Sequence, residues 1–284
     1  MAALALLALP AWSQEPAPEE EVIIEQEAPQ LPAGQVHRGE RDVPALLVRI
    51  REPGVLEVKS GEDWKGTTLD GLAESLDAFA KEQDKVLAKD GKSAYEKTPG
   101  GTEVSRLYLA LDVGPTVPWQ HAQLVLQVAA QQKFRKLEVT DGKRTLLVDL
   151  PVDAGMHSTK KKVPDTRLQV HAVARAEQVE KWGDVEVNKP AEIRYKFGPE
   201  ETASLPELTA LIRSARKAAE ESGSRAVGEV KSGNKVPFAM VFDILEMFDN
   251  AGIADVNIAV GGIPSEAVRK ADRLPYPLKN YDVN

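Results

Sequence analysis

The most constraining feature of this chain is one pattern that occurs twice. Residues 235–260 read KVPFAMVFDILEMFDNAGIADVNIAV, and residues 116–139 read the weaker copy TVPWQHAQLVLQVAAQQKFRKLEV. When Pro118 is aligned with Pro237, at an offset of 119 residues, no gap is needed through a helix-like run and the strand-like run after it. A constant offset between matching apolar positions predicts that the chain repeats a structural unit. The matched apolar pairs are Trp119 with Phe238, Val125 with Ile244, Leu126 with Leu245, Phe134 with Ile253, and Leu137 with Val256.

A second pair of amphipathic segments precedes these helices. Leu72 and Leu76 in one segment match Leu208 and Ile212 in the other at an offset of 136 residues, and the difference between the offsets falls in a polar loop at 85–104. Duplication of a β-α-β-α-β unit accounts for this arrangement, whereas chance similarity of amphipathic helices is the alternative. We therefore expect an α+β fold with two repeated ββαβαβ-type domains, each a mixed sheet with two helices packed on one face.

The ends of these segments carry helix signals. Ser204 with Glu207 three residues on predicts a capping box, and Thr67 or Thr68 is the expected cap of the earlier helix. Proline after valine, as at Pro237, suits a first helical turn because the missing N–H has no partner there. On the helix after Pro237, three acidic residues are expected to face water. They are Asp243, Glu246 and Asp249.

The same helix is expected to close at Gly252 in a left-handed conformation. In the first copy Lys133 stands at the matching position. A residue other than glycine costs on the order of 1 kcal/mol in that conformation, so either the turn is strained or it differs.

The amino-terminal residues predict export. Ala2 to Trp12 is an apolar run without charge, and small residues precede Gln14, as at the end of a secretory signal. The run is shorter than the ~20 residues that span a bilayer. An alternative is a truncated membrane subunit whose reading frame starts upstream. The chain has no cysteine, which excludes disulfides and the usual lipid-anchor site.

Composition and turn signals predict the layout of the chain. Residues 15–40 are rich in Pro, Glu and Gln, a composition that cannot bury enough apolar surface to offset chain entropy. The expected segments are a signal peptide (1–13), a disordered linker (14–43), domain 1 (44–150), a linker (151–166), domain 2 (167–262) and a C-terminal tail (263–284).

Net charge limits the classes of partner. The chain carries a formal charge of −8, which disfavours nucleic acid and anionic lipid surfaces, since both require a basic protein face. With 42% hydrophobic and 5% aromatic residues, the core is expected to be mainly aliphatic.

The second copy resembles the periplasmic domain of the ExbD/TolR family. The resemblance lies in Val-Pro-Phe at 236–238, an amphipathic helix, Ala-Gly-Ile-x-Asp-Val at 251–256 and a hydrophobic strand. The first copy fits more loosely, although LALDVGPTVPW at 109–119 is similar to the strand and turn before the family's helix. The resemblance implies helices on one face of a mixed sheet and subunits that dimerise beside a proton-driven motor. This sequence lacks the family's transmembrane helix and its proton-handling aspartate, so the proton-coupling role is not carried over.

No catalytic, cofactor-binding or metal site is predicted. The four histidines, His37, His121, His157 and His171, do not have the spacing of metal ligands, and no nucleophile-elbow, Walker or dinucleotide motif occurs. Ser158 and Thr159 beside Lys160–Lys162 are interpreted as a solvated linker. Trp64 and Trp182 are predicted to be packing anchors.

Together with the predicted export, the resemblance implies a non-enzymatic adaptor of the bacterial envelope, located in the periplasm. Its expected partners are a TonB- or TolA-type protein or motor component, or peptidoglycan, without nucleic acid or a stable membrane span, and a homodimer is possible. Exposed sheet edges at 45–59 and 168–197 are expected to bind a partner strand. The alternative is a periplasmic hydrolase or small-molecule binder with a site between the domains.

Overall fold

The computed structural model describes residues 34–98, 101–150, 164–175, 178–182, 185–189, 192–232 and 236–258. The predicted signal peptide, residues 14–33 of the predicted linker, Ser158 to Lys162 and the predicted tail at 263–284 lie outside these ranges. Within them the chain is a mixed α+β structure with one large mixed sheet and four helices.

The amino-terminal half contributes two helices and eight strands. The helices are α1 (Leu69–Ala88) and α2 (Trp119–Gln131). The strands are β1 (Gly34–His37), β2 (Ala45–Ile50), β3 (Leu56–Ser60), β4 (Asp63–Gly66), β5 (Tyr95–Lys97), β6 (Glu103–Val113), β7 (Phe134–Thr140) and β8 (Thr145–Asp149).

The carboxy-terminal half contributes α3 (Leu205–Glu221) and α4 (Phe238–Asn250). Its strands are β9 (Asp165–Arg175), β10 (Gln178–Trp182), β11 (Val185–Lys189), β12 (Glu192–Phe197), β13 (Glu200–Thr202), β14 (Arg225–Ser232) and β15 (Asp255–Ile258). The sequence patterns did not predict β1, β4, β5, β10 and β13, because each has five residues or fewer and lacks a clear apolar alternation.

Both halves share one sheet, in the order β13-β12-β9-β14-β15-β1-β8-β7-β6-β2-β3-β4, with β5 beside β6. In each half three strands run parallel: β2, β6 and β7 in the first, and β9, β14 and β15 in the second. Helical crossovers connect the second strand to the third in each set, through α2 and α4, as parallel pairing requires.

Strand β1 joins the two halves. It pairs antiparallel with β8 on one side and with β15 on the other. It therefore lies against β15 as β8 lies against β7, although it comes from the opposite end of the chain. Val36 of this strand is buried in the shared core, and its N–H donates to the Ala254 carbonyl at 2.8 Å.

Both predicted helix caps are present, but one has different chemistry. Thr68 Oγ1 accepts the Gly71 N–H at 3.1 Å, and Ser204 Oγ accepts the Glu207 N–H at 3.4 Å. In a capping box the Glu207 side chain would accept the Ser204 N–H directly. Here Thr202 lies between these two groups. Its hydroxyl accepts the Ser204 N–H at 2.9 Å and donates to Glu207 at 2.6 Å, so a third residue mediates the contact.

The turns after α2 and α4 have the same left-handed backbone. Gly252 has φ +74° and Lys133 has φ +68°, so the first copy keeps the turn geometry despite its side chain. Lys133 is the only residue other than glycine with positive φ in the described ranges. Of the two outcomes expected from the sequence, the same left-handed turn rather than a different one is observed, and we expect it to be strained at lysine.

Candidate binding surface

The two matching helix starts contact each other in the buried core. Pro118 and Pro237 form an antiparallel bridge: the Trp119 N–H donates to the Val236 carbonyl at 2.7 Å, and the Phe238 N–H donates to the Val117 carbonyl at 2.7 Å. The two prolines have nearly equal backbone angles, φ −57°, ψ 136° and φ −56°, ψ 139°. Because neither cap has a side-chain acceptor, each helix start satisfies a backbone donor of the other.

An aromatic cluster fills the space beside this bridge. The Trp119 and Phe238 rings stack at 6.1 Å between centroids, and Phe242 lies 5.9 Å from Phe238. All three side chains are buried. The described part of the junction between the halves is therefore packed with side chains, which favours a structural junction over a ligand cleft.

Arginines from the amino-terminal half pair with the acidic side of α4, so this side, expected to face water, is only partly exposed. Arg144 Nη1 lies 2.7 Å from Asp243 and 2.8 Å from Glu246, while its Nη2 lies 2.6 Å from Asp141. Arg38, directly after β1, lies 2.9 Å from Glu246. Hydropathy on one helix cannot show this, because the cations come from residues about 100 and 200 positions earlier in the chain.

Burial and hydrogen bonding shift the pKa values in this cluster. Burial opposes the charge of Asp141, but hydrogen bonds from Arg144 and from the Lys143 backbone hold the pKa of its carboxyl below the usual value. Burial, followed by the charge of Asp243, raises the pKa of the Tyr195 phenol. The phenol therefore stays protonated and donates a hydrogen bond to the Asp243 carboxylate, at 2.8 Å between the oxygens. The positive charge of Arg144 is therefore balanced by Asp141 and Asp243. These contacts connect helix α4 to the β7–β8 turn and to strand β12.

The histidines singled out in the sequence do not converge. His37 ends β1, His121 is buried in α2 and His171 lies on β9, while His157 is outside the described ranges. Burial lowers the pKa of His121, so a neutral imidazole is favoured. Among the residues that the structure describes, no group of three or more His, Asp or Glu side chains is arranged to hold a metal ion.

Trp64, predicted to be a packing anchor, is half-buried on β4 and lies beside a charged side chain. The Arg49 guanidinium lies 4.2 Å from the Trp64 ring centroid and also pairs with Glu57, with Nε 2.5 Å from Oε2. Trp182 ends β10 opposite Val185.

A shallow depression of about 440 Å³ lies between α3 and the end of α4. Arg213 donates to the Asn250 carbonyl at 2.9 Å, and Arg216 donates to the Ala251 carbonyl at 2.8 Å. Since both arginines cap the carboxyl end of a helix, their positions have a structural explanation.

The sheet edges differ from those expected. Residues 45–59 form β2 and most of β3, and both strands are paired on two sides. In the large sheet, β9 and β12 are also interior, and its terminal strands are β4 and β13. The sequence shows which residues are strand-like but not their lateral order, because that order depends on pairing between distant segments.

A two-stranded ribbon continues the β9–β12 hairpin beyond the large sheet. Arg175 pairs with Glu192, Gln178 with Lys189 and Trp182 with Val185, so the register carries on without a slip into β10–β11. At ~3.3 Å per residue, β10 and β11, with five residues each, are roughly 16 Å long. The shorter β2–β3 hairpin of the other half has no such extension.

The polar face of the sheet carries matching rows of charge in the two halves. In β3, β2 and β6 the row is Glu57–Arg49–Asp112, which alternates in sign. In β12, β9 and β14 the row is Lys196–His171–Lys231. The offset of 119 residues that relates Pro118 to Pro237 also relates Asp112 to Lys231. We call the second set the basic row.

No pattern in the sequence points to a role for Lys196 or Lys231, and His171 stands out only as a potential metal ligand. The signal that identifies them is the strand register, which makes residues 171, 196 and 231 neighbours. Lys196 and Lys231 are exposed and His171 is half-buried.

Comparisons of the chain with family models, with curated proteins and with solved structures find no match. A functional assignment therefore depends on the geometry described above. In the described ranges, no helix combines the length and the apolar character needed to cross a bilayer.

Proposed function

We propose that this chain is an exported, non-enzymatic binding or adaptor protein of the bacterial envelope, built from two ExbD/TolR-like units. In this proposal the units are ββαβαβ-type repeats at 44–150 and 167–262, and the mature protein acts in the periplasm. Its partner is an envelope protein of the TonB/TolA or motor type, or peptidoglycan.

The observation that carries this proposal is the reciprocal junction at Pro118 and Pro237. Two matching helix starts exchange backbone hydrogen bonds, as equivalent residues do across a twofold interface. The equal turn conformations at Lys133 and Gly252 add a second matched pair. In this proposal the two units of one chain take the place of the two subunits that the resemblance implies.

Partner binding is assigned to the parts of the sheet outside this junction. Among the residues that the structure describes, the terminal strands β4 and β13 each pair on one side only, and β10–β11 forms a separate two-stranded ribbon. Unpaired strand edges present backbone donors and acceptors that an extended partner segment can match. The packed aromatic junction supports this role over a hydrolase with a site between the halves.

Site-specific photocrosslinking in living cells tests the proposal. A photoreactive residue replaces Lys65 on β4 or Glu201 on β13, and the matched control carries it at Glu82 on the exposed surface of α1. We expect adducts with an envelope protein or with peptidoglycan from the edge positions and little from position 82. Equal yields at all three positions, or adducts only with cytoplasmic proteins, would contradict the proposal.

A further inference from the structure

The two rows on the polar face differ in charge compensation although they occupy matching strands. In the first row Arg49 lies between Glu57 and Asp112 in the register and forms a bidentate pair with Glu57, at 2.5 and 3.2 Å. Asp112 also pairs with Arg51. Every charged group of that row therefore has an opposite charge within the protein.

The basic row has no comparable compensation. Within the described residues, neither Lys196 nor His171 has an ion-pair partner. Glu201 is opposite Lys196 in the register but lies 3.7 Å from Arg194 instead. Lys231 has only a distant contact, 3.9 Å from Glu229.

The one nearby carboxylate on β14 is already engaged. Glu229 accepts a hydrogen bond from the Gln169 amide at 2.8 Å, and its side chain is 13% exposed. Lys231 is 45% exposed, and Arg167, one strand over on the same face, is also exposed. Lys196 and Lys231 lie on either side of His171 in the register, so this face presents two exposed lysines with no carboxylate between them.

The spacing of the row matches an extended acidic segment. Adjacent strands are ~4.8 Å apart, so the three groups of the row extend over roughly 10 Å. An extended peptide that crosses the strands presents alternate side chains on one side about 6.6 Å apart, which places two carboxylates over the row. A nucleic acid is disfavoured, because its closely spaced phosphates require a basic surface much broader than this short row.

We propose that the basic row, Lys196–His171–Lys231, is a docking surface for an extended acidic peptide segment of a partner protein. This inference rests on the proposed binding function and specifies the chemistry of the partner. The acidic side chains of the segment occupy the position that Glu57 and Asp112 occupy in the other half. Attraction between them and the exposed lysines accelerates association and selects against basic partners.

Fluorescence anisotropy with defined peptides tests this surface. The probe is a labelled ten-residue peptide of alternating Glu and Thr, added to the full chain, and the comparison probe alternates Lys and Thr. We expect the acidic peptide to bind and the basic one not to bind, with weaker binding at higher salt because exposed charges are screened.

Variants separate the row from general charge effects. Lys196→Glu with Lys231→Asp installs the charges of the other half and is expected to weaken acidic-peptide binding about tenfold or more. Lys196→Arg with Lys231→Arg keeps the charge and is expected to bind as the parent does. The control Lys217→Glu with Lys81→Glu changes net charge on α3 and α1 by the same amount and is expected to have a much smaller effect. Unfolding curves verify that each variant folds.

Equal loss in the row variant and in the control would overturn the proposal, as would binding of heparin but not of the acidic peptide. Envelope crosslinks from β4 or β13 without acidic-peptide binding would overturn the basic row alone. Acidic-peptide binding that depends on the row, without any envelope crosslink, would support the row and contradict the proposed cellular role.

Discussion

At the scale of single residues, matched positions in the two halves have the same backbone conformation or burial but different side chains. Gly252 and Lys133 both adopt a left-handed backbone conformation. Glycine adopts it without steric cost, whereas the Cβ of lysine makes it unfavourable. His121 stands where the second copy has Met240, and both are buried. Each such pair suggests a variant in which one half receives the residue found at the matching position of the other half.

Replacing Lys133 by Gly is expected to stabilise the protein by about 0.5–1 kcal/mol. Glycine removes the left-handed strain of about 1 kcal/mol, while loss of the Lys133–Glu103 ion pair, at 2.5 Å and partly exposed, offsets a few tenths. Urea unfolding measures the change. Lys136→Gly, within β7, is the matched control and is expected to destabilise, because glycine weakens a strand interior. A loss of stability in Lys133→Gly equal to that of the control would show that the turn is not strained.

His121→Met is expected to flatten the dependence of stability on pH below neutrality. Burial places the pKa of folded His121 below the unfolded value of about 6.5, so the unfolded chain takes up a proton more readily. The stability associated with the neutral imidazole is thus complete above that value and is lost as the pH falls through the folded pKa. Unfolding curves between pH 7.5 and 5 measure the slope. Gln127→Met, also buried in α2 but without a titrating group, should keep the parent slope.

At the scale of elements, helix α4 is held by groups from three other places in the fold. Arg144 comes from the β7–β8 turn, Arg38 from the end of β1 and Tyr195 from β12. The acidic side of the helix is therefore an internal docking surface, which explains why it is only partly exposed. Position along one helix does not determine exposure when another segment supplies a matching charge.

Arg144→Ala is expected to destabilise by about 2–3 kcal/mol, since it leaves Asp141 and Asp243 partly buried without their cation. Arg38→Ala, which removes a guanidinium that is 55% exposed, should cost about 1 kcal/mol or less. Because the folded pKa of Asp141 is lowered, its share is present above the unfolded value of about 3.9 and lost as the pH falls through the folded pKa. Chemical unfolding at pH 7 and pH 3 should show a smaller Arg144→Ala effect at pH 3. An unchanged difference at pH 3 would exclude the carboxylates as its source.

At the scale of the whole molecule, the halves are joined by strand β1 and by the Pro118–Pro237 bridge. These two connections depend on different interactions. The strand extends a backbone hydrogen-bond ladder across the sheet, and the bridge places Trp119 against Phe238 in the core. Because both link segments distant in sequence, loss of either is expected to affect both halves together.

A double-mutant cycle measures direct contact across the junction. Trp119→Ala and Phe238→Ala are each expected to cost about 3–5 kcal/mol, with a coupling of about 0.5–1.5 kcal/mol from the stacked rings. The control cycle combines Trp119→Ala with Phe248→Ala, whose ring packs against Gly228 within the other half, and should be nearly additive. Additive behaviour of Trp119 with Phe238 would contradict the junction. Unfolding followed by both circular dichroism and fluorescence provides the free energies.

Local patterns in the sequence were sufficient for the helices, most of the longer strands and the left-handed turn at Gly252, because these depend on neighbours along the chain. They also predicted that Pro118 and Pro237 begin equivalent helices. Tertiary structure alone decided that these prolines touch, that β1 lies between β8 and β15, and that Arg144 covers the acidic side of α4. It also decided that Lys196, His171 and Lys231 are neighbours. The physical reason is the same in each case: strand pairing and charge compensation join residues far apart in sequence, and hydrophobic periodicity carries no information about which distant segment becomes the partner.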